Sequence, residues 1–311
     1  MQVNWIDIAT FLGIGFIGTP LAGMFISWVD RKVTARVQWR VGPPLLQPFW
    51  DFVKLLGKET VVPRGSAKTV FLLAPLLGLS AVALVSTILW MGILNPQTGF
   101  TGDLIVVLYF LMVPSLAVIL GGFASRNPIA SLGASREMKL MLGYELPFIL
   151  ACLVPIIHTG GSIQIGEIII YQGSHGIVAG KISGILAMIV SIVVIQAKLT
   201  LVPFDIPEAE TEIMSGPFVE YSGPPLAVYK LTRMMMLITL PVFMVILFLG
   251  GMHFHGWAIL WSILKVLLFV VLITLIRNTN PRLRIDQAVR LFWGPMTLIA
   301  IVAVALALLG I

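Results

Sequence analysis

Long uninterrupted runs of apolar residues dominate the chain, and each run is long enough to cross a lipid bilayer as a helix. A transmembrane helix needs about 20 consecutive, predominantly apolar residues. Eight runs meet this criterion: Ile8–Val29, Val70–Trp90, Leu104–Phe123, Leu140–Ile157, Ile182–Val202, Pro225–Gly250, Trp257–Ile276 and Phe292–Leu309. Membrane β-strands alternate apolar and polar residues, and these runs do not. The pattern predicts an all-α integral membrane protein with eight transmembrane helices in a single membrane domain, residues 1–311.

The composition supports a membrane protein and narrows the chemistry that the chain can carry. Hydrophobic residues make up 58% of the chain and charged residues 11%, whereas soluble domains contain about 25% charged residues. Cys152 is the single cysteine and lies in an apolar run, so the chain cannot form an internal disulfide or a thiolate cluster. The histidines show no metal-ligand spacing. We therefore expect no metal or cofactor in this chain, and no nucleic-acid partner.

Basic residues lie almost entirely on one side of the predicted helices. They occupy the first loop, the connection between the third and fourth spans, the last loop and the end of the fifth span: Arg31, Lys32, Arg36, Arg40, Lys54, Lys58, Arg64, Lys68, Arg126, Arg136, Lys139, Arg277, Arg282, Arg284, Arg290 and Lys198. Loops rich in lysine and arginine stay in the cytoplasm. This predicts a multi-pass plasma-membrane protein with both termini outside and with its basic loops in the cytoplasm.

The first cytoplasmic loop contains a segment with its own helical pattern, at about residues 45–59. In LLQPFWDFVKLLGKE the apolar residues share one helical face, and Asp51, Lys54 and Lys58 lie elsewhere. A helix of this kind lies in the plane of the membrane interface. Arg36 and Arg40, just before it, are suited either to anionic lipid headgroups or to docking a cytosolic partner.

The loop from 203 to 223, PFDIPEAETEIMSGPFVEYSG, is acidic although the other loops on its side are basic. We call it the acidic loop. If it is helical, Asp205, Glu208 and Glu212 share one face and Glu210 lies opposite, with Glu220 following at the start of the sixth span. A run of charge is usually a solvated surface. Here proline, phenylalanine and methionine are interleaved with the acids, and carboxylates at a bilayer boundary favour proton handling.

Two ionisable residues lie inside predicted spans. Glu145 is roughly five residues into the fourth span, and Lys265 is about 12 Å into the seventh by helix rise. An unpaired carboxylate in hydrocarbon costs several kcal/mol or becomes protonated. Glu145 is therefore either an ion-pair partner of an arginine on a neighbouring span or part of a proton relay. Lys265 is too deep to reach the interface and is expected to pair with an acid or to line a hydrated path.

Three stretches together resemble one family of membrane subunits. They are WVDRKVTARVQWRVGPPLLQPFWDFVKLLGKETVVP, GYELP, and PFDIPEAETE followed by VEYSG. In order and topology they resemble the quinone-site membrane subunit (subunit 1, or H-type) of respiratory complex I and its relatives in energy-converting membrane-bound [NiFe] hydrogenases and the related sulfur-reducing complex.

The resemblance implies a coupling subunit between a cytosolic redox arm and other membrane subunits. It places the start of a proton path at Glu145, Asp205, Glu208, Glu210, Glu212 and Glu220, to which Lys265 is added as a buried cation. It places the surface that faces the arm at Arg36, Arg40, Asp51 and Lys54. The implied partners are cytosolic iron–sulfur and [NiFe]-hydrogenase-like subunits, which hold the redox centres, and antiporter-like and small membrane subunits.

Several functions stay open. The form SGPFVEYSG departs from the usual complex I pattern and favours the hydrogenase-related branch over a quinone-binding subunit of an NADH:quinone oxidoreductase. A stand-alone secondary cation transporter would use Glu145 and Lys265 as a coupling pair, but the chain shows no inverted repeat. A passive scaffold would use the acids only to bind a basic partner surface.

Overall fold

The computed structural model describes residues 12–97, 99–254 and 256–311, and in these ranges it consists of helices, turns and loops without a strand. The predicted all-helical fold is confirmed for this part of the chain. Residues 8–11 of the first predicted span lie outside the described residues. The helices in chain order are α1 (Thr19–Val37), α2 (Gln47–Leu56), α3 (Lys68–Leu94), α4 (Asp103–Phe110), α5 (Val113–Ala124), α6 (Pro128–His158), α7 (Ile165–His175), α8 (Ile182–Lys198), α9 (Glu210–Ile213), α10 (Pro224–Phe248), α11 (Ala258–Thr279), α12 (Ile285–Leu291) and α13 (Thr297–Leu308).

Six helical stretches of the described chain are long and apolar enough to cross a membrane. They are α3, α4 with α5, α6, α10, α11, and α12 with α13. Two π-helical turns, Ile14–Gly18 and Phe292–Met296, precede α1 and join α12 to α13. The helix α8 is apolar but shorter, with 17 residues. The chain is therefore a multi-pass membrane protein.

Helix α6 begins well before the predicted span Leu140–Ile157. The side chain of Asn127 accepts a hydrogen bond from the Ile129 amide at 2.8 Å, and Pro128 occupies the first helical position. An asparagine cap followed by proline is a strong helix start. Arg136 and Lys139 therefore lie on this helix, and their predicted position in a loop is wrong. Similarly, α1 continues past the predicted end at Val29 to Val37.

Helix α10 lies at the centre of the bundle, and 94% of its most apolar 18-residue stretch is buried inside the protein. It packs chiefly on α1 and α3, while α6 packs on α5, α8 and α13. The contact between α1 and α10 depends on Gly23, because a Cβ atom there would lie 2.6 Å from the carbonyl oxygen of Met234. Small residues allow such close backbone approach in membrane helices.

The acidic loop is not a helix, so the condition under which Asp205, Glu208 and Glu212 would share one helical face is not met. Only the single turn α9, Glu210–Ile213, is helical in its acidic part, because Pro203 and Pro207 interrupt the hydrogen-bond ladder. The loop is held against the bundle at both ends. The amide of Leu283 donates to the carbonyl of Pro203 at 3.0 Å, and Pro217 packs on the backbone of Gly133 in α6.

We expect Gly23→Ala to destabilise the protein, because the added methyl group forces α1 away from α10. Overpacking of this kind costs about 1–3 kcal/mol. The measurement is thermal unfolding of the purified chain in detergent. Gly18→Ala is the matched control, since the nearest heavy atom to a Cβ there is 3.7 Å away. Equal unfolding temperatures for the two variants would contradict the proposed helix contact.

Candidate functional site

Charged side chains converge at the end of the bundle that carries the acidic loop, around two adjoining cavities. One has a volume of about 350 Å³ and reaches Glu137 and Lys198; we call it the Glu137 cavity. The other, of about 390 Å³, reaches Asp30 and Arg277; we call it the Asp30 cavity. Residues shared by both linings form the wall between them: Leu199, Thr200, Glu208, Glu210, Lys230 and Arg233.

Glu145 is ion-paired, and its partner is a lysine. Lys198 Nζ lies 2.8 Å from Glu145 Oε2, and only 1% of the lysine side chain and 11% of the glutamate side chain are exposed. The ammonium also lies 4.8 Å from the ring centroids of Tyr144 and Phe148, where the ring faces attract a cation. An arginine partner was one of the two alternatives for Glu145, but the residue that meets it is Lys198, which ends α8, and α8 packs along α6. A residue assigned to the membrane surface by sequence is therefore a buried counter-ion.

Glu137 is a buried acid that the sequence interpretation missed. It lies two helical turns before Glu145 on α6, and 1% of it is exposed. Ser115 hydrogen-bonds its carboxyl group, and the Ser115 hydroxyl is also 3.1 Å from the Tyr144 hydroxyl. A helical assignment from the Asn127–Pro128 start would have placed Glu137 on the same helix as Glu145. Glu137 and Lys198 together line the inner end of the Glu137 cavity.

Glu208 forms the wall between the two cavities together with Arg233 of α10. Arg233 Nη1 donates to Glu208 Oε2 at 2.6 Å, and its Nη2 donates to the carbonyls of Leu199 and Thr200 at 3.0 Å. The Thr200 hydroxyl donates to the second oxygen of Glu208 at 2.9 Å. Both carboxylate oxygens are thus satisfied. Glu208 of the acidic loop is therefore ion-paired with Arg233 of the central helix α10.

Asp205 is held by Arg282, which belongs to the loop before α12. The distance from Arg282 Nε to Asp205 Oδ2 is 2.8 Å, and 14% of the aspartate side chain is exposed. Burial raises the pKa of Asp205, and the charge of Arg282 offsets part of this rise. Arg282 was predicted only as a basic loop residue that orients the chain. Its second role, as the ion-pair partner of Asp205, depends on the position of the acidic loop. Sequence periodicity does not specify that position.

Asp30 is a second buried acid that the sequence interpretation did not single out. Arg277 of α11 pairs with it at 3.0 Å, and the Thr274 hydroxyl donates to it at 2.8 Å. Because Asp30 lies on α1, these contacts fasten α1 to α11. Asp30 also lines the cavity that we named after it. The sequence signal was available, since Asp30 directly follows the apolar run that ends at Val29.

Three buried carboxylate oxygens have no hydrogen-bond partner within the described ranges. They are Oε2 of Glu137, Oε1 of Glu145 and Oδ1 of Asp205. Buried polar atoms are normally satisfied by protein groups or ordered water. A carboxylate in this situation can be satisfied by water or can bind a proton. The network is therefore suited to accepting and releasing protons.

Three of the predicted relay residues lie at the margins of this network. Glu210 lines both cavities but is exposed. Glu212 is 61% exposed and pairs with Arg136 at 2.8 Å. Glu220 accepts a hydrogen bond from the side chain of Asn127.

Lys265 is separated from the acids. Its Nζ donates to the carbonyls of Leu249 and Gly251, at 2.6 and 3.5 Å, beyond the far end of α10. The acidic loop precedes the start of α10, which is 25 residues long, so about 35 Å of helix lies between the two sites. Of the two expectations for Lys265, pairing with an acid is not met in the described residues, because nearby backbone carbonyls at the helix end satisfy its ammonium group instead. The hydrated path stays a prediction.

The predicted partner-facing residues form an exposed surface beside the Asp30 cavity. Arg36, Arg40 and Lys54 are exposed. Asp51 accepts hydrogen bonds from Arg31 at 2.7 Å and from Gln47 at 2.8 Å. Partial burial opposes ionisation of Asp51, but these hydrogen bonds lower its pKa overall. Arg31 also lines the Asp30 cavity, so the ion pair of Arg31 and Asp51 lies between this surface and the cavity.

Comparisons with known proteins place the site in a family context. A family model described as NADH dehydrogenase matches residues 10–308. The H subunit of the NADH-quinone oxidoreductase of Thermomicrobium roseum is 35% identical, over 98% of this chain and 96% of the relative. Its counterpart in Geobacillus thermodenitrificans is 32% identical, over 97% and 95%. A chain in the structure of the membrane-bound sulfane sulfur reductase, an archaeal respiratory membrane complex, is 27% identical with a TM-score of 0.86, over 96% of this chain and 99% of that chain.

We expect Lys198→Met to destabilise the fold by about 3–5 kcal/mol, because it leaves the buried Glu145 carboxylate without a counter-ion. Adding Glu145→Gln removes that charge and restores most of the loss. The measurement is a double-mutant cycle on unfolding in detergent. Glu212→Gln is the control, since it breaks an exposed ion pair worth about 0–1 kcal/mol. Additive effects of the two buried substitutions would contradict the pairing.

Proposed function

The chain belongs to the NADH dehydrogenase family, and we propose that it is the membrane-anchor and coupling subunit of a multi-subunit, redox-driven ion pump. The resemblance to the family of H-type membrane subunits is confirmed by the match over residues 10–308. Its relatives are subunits of respiratory membrane complexes. In the proposed complex, electron transfer in a cytosolic [NiFe]-hydrogenase-like arm drives proton translocation through the membrane part, and antiporter-like subunits extend this to sodium.

The proposal depends on one observation: acids from three parts of the chain, α1, α6 and the acidic loop, line two adjoining cavities at one end of the bundle. Glu208 contributes to both cavities, and Glu137 and Lys198 form the inner end of one of them. Glu145 is connected to the same cavity through its ion pair with Lys198. Coupled carboxylates in a low-dielectric site change protonation when a nearby charge changes. An electron arriving in a docked arm would supply that change.

In this proposal the membrane topology is that expected from the sequence. Eight helices cross the plasma membrane, with α1 and α8 as the spans beyond the six long apolar stretches. The acidic loop and the basic loops face the cytoplasm, and both termini face outside. Helix α2 lies at the membrane interface, and its exposed Phe49, Trp50 and Val53 give it an apolar face for that position.

The redox arm docks on the exposed surface of Arg36, Arg40, Asp51 and Lys54. Trp39, of which 98% is exposed, adds an aromatic side chain to it, and tryptophan and arginine are enriched at interface centres. Iron–sulfur clusters and a nickel–iron site belong to the arm, and this chain carries no cofactor. Its own residues take up protons, hold them at carboxyl oxygens and respond to the charge of the arm.

A second candidate is a quinone-binding subunit of an NADH:quinone oxidoreductase. It is favoured by the names of the relatives and by the Glu137 cavity, whose lining combines the apolar Val118, Leu226 and Met236 with the charged Glu137 and Lys198. An amphiphile with a polar head suits such a cavity. The similarity to the sulfane sulfur reductase chain and the SGPFVEYSG form support the hydrogenase-related proposal instead.

We expect complexes that contain Glu145→Gln and still assemble to have lost redox-driven proton translocation, since an amide cannot carry the proton. The measurement is acidification of proteoliposomes that contain the purified complex, with subunit stoichiometry checked by gel. Glu220→Gln is the control, because Glu220 lines neither cavity and an amide can keep its hydrogen bond to Asn127. Normal pumping by Glu145→Gln would rule out the relay.

The hydrogenase-related proposal and the quinone-binding alternative predict different responses of the purified complex to a soluble quinone. If the arm is hydrogenase-like, we expect the purified complex to transfer electrons without quinone and to be unaffected by a short-chain quinone. Met236→Trp, which fills the apolar side of the Glu137 cavity, would then leave electron transfer intact. Quinone-dependent turnover that Met236→Trp blocks would instead establish the quinone-binding alternative. The measurement is the rate of electron transfer by the purified complex with hydrogen, sulfane sulfur or quinone as the substrate.

A further inference from the structure

A third cavity lies between the acidic loop and the loop that leads into α12. Its volume is about 250 Å³, and it is lined by Arg136, Glu212, Arg284 and Asp286, among others; we call it the Asp286 cavity. Asp205 and Arg282 line this cavity and also the Asp30 cavity. The two cavities therefore lie on opposite sides of the Asp205–Arg282 ion pair.

The three cavities form a series with an ion pair at each junction. Glu208 and Arg233 separate the Glu137 cavity from the Asp30 cavity. Asp205 and Arg282 separate the Asp30 cavity from the Asp286 cavity. Each junction thus consists of one carboxylate of the acidic loop and one arginine of a neighbouring element.

Arg282 closes the second junction by contacting the acidic loop at two places. Its Nε lies 2.8 Å from Asp205 Oδ2, and its Nη1 donates to the Thr211 hydroxyl at 2.9 Å. The next residue, Leu283, donates its amide to the Pro203 carbonyl at 3.0 Å. The arginine side chain is 42% exposed, so it lies at the boundary between the buried junction and solvent.

We propose that the Asp286 cavity is an inlet for water and protons, in which Asp205 receives the proton and Arg282 is the positioning residue that keeps the inlet closed while Asp205 is charged. This inference rests on the proposed function, because it supplies protons to the same cavities. The lining carries both signs of charge, which suits water and hydronium better than an anion or an apolar ligand.

The proton transfer can be written completely. A hydronium ion in the Asp286 cavity gives one proton to Asp205 Oδ1, so that an O–H bond forms on the carboxyl group and water remains. Oδ1 has no hydrogen-bond partner in the described part of the chain, and so it is free to bind the proton. The neutral carboxyl group then loses its charge attraction to Arg282, and the junction loosens.

The electrostatic surroundings of Asp205 agree with this role. Burial raises its pKa, Glu208 raises it further, and Arg282 and Arg233 lower it. Desolvation thus favours the protonated form of the carboxyl group, while the two arginines stabilise its charged form.

Cysteine labelling in the intact complex tests the inlet without measuring transport. Ser27 lines the Asp30 cavity and is 8% exposed, so Ser27→Cys reports access to that cavity. The single natural cysteine, Cys152, is buried. The probe is 2-aminoethyl methanethiosulfonate, applied from the side of the acidic loop. We expect Arg282→Gln to raise the labelling rate about tenfold, equivalent to about 1.4 kcal/mol in the opening equilibrium, and Asp205→Asn to raise it similarly.

Two neighbouring residues provide matched controls. Arg284 and Asp286 line the Asp286 cavity but not the Asp30 cavity, so Arg284→Gln and Asp286→Asn leave the rate unchanged. Arg282→Lys, which keeps the charge but cannot bridge both contacts, gives an intermediate rate and guards against misfolding of Arg282→Gln. An unchanged rate in both Arg282→Gln and Asp205→Asn, or an equal rise in the controls, would overturn the inlet. Glu145→Gln separates the inlet from the proposed ion-pump function, since we expect it to remove proton transport without altering the labelling rate of Ser27→Cys.

Discussion

A charge inside an apolar bundle must be paired, and this constraint determines how the parts of the protein meet. The pair of Glu145 and Lys198 is almost completely buried and joins α6 to α8. An unpaired charge at that depth would cost several kcal/mol, so the two helices are fixed in register. Asp30 and Arg277 join α1 to α11 in the same way. The ion pairs thus specify contacts that purely apolar packing would leave interchangeable.

The same pairing leaves the network incompletely satisfied, and this connects structure to function. At Glu137, Glu145 and Asp205 one carboxylate oxygen is buried without a hydrogen-bond partner in the described chain. A partly satisfied buried network is less stable than an apolar core, and proteins retain such arrangements where function needs them. Glu137 and Asp205 line cavities that reach the acidic loop, and Glu145 is connected to them through Lys198; a change of charge in a docked arm would act on the network there.

The sequence predicts much of this protein because its strongest signals are local. Apolar runs predict the six long apolar stretches of the described chain, and an acid within such a run draws attention to Glu145. Less local features were missed: the start of α6 hides Glu137, since its first turns, PIASLGASREMK, contain no long apolar run. The identity of Lys198 as the partner of Glu145 depends on how α6 and α8 pack, because the two residues lie 53 positions apart in sequence. The prolines of the acidic loop signalled a break, but not which arginine each acid would meet.

Infrared difference spectroscopy of the intact complex, recorded between its oxidised and reduced states, tests the central claim most directly. Protonated buried carboxyl groups absorb separately from carboxylates, so the spectrum reports whether the acids of this network change protonation when electrons arrive. We predict a carboxyl band that changes on reduction and is lost or shifted in Glu145→Gln and in Glu208→Gln. Identical difference spectra in the unmodified complex and in both variants would contradict the account.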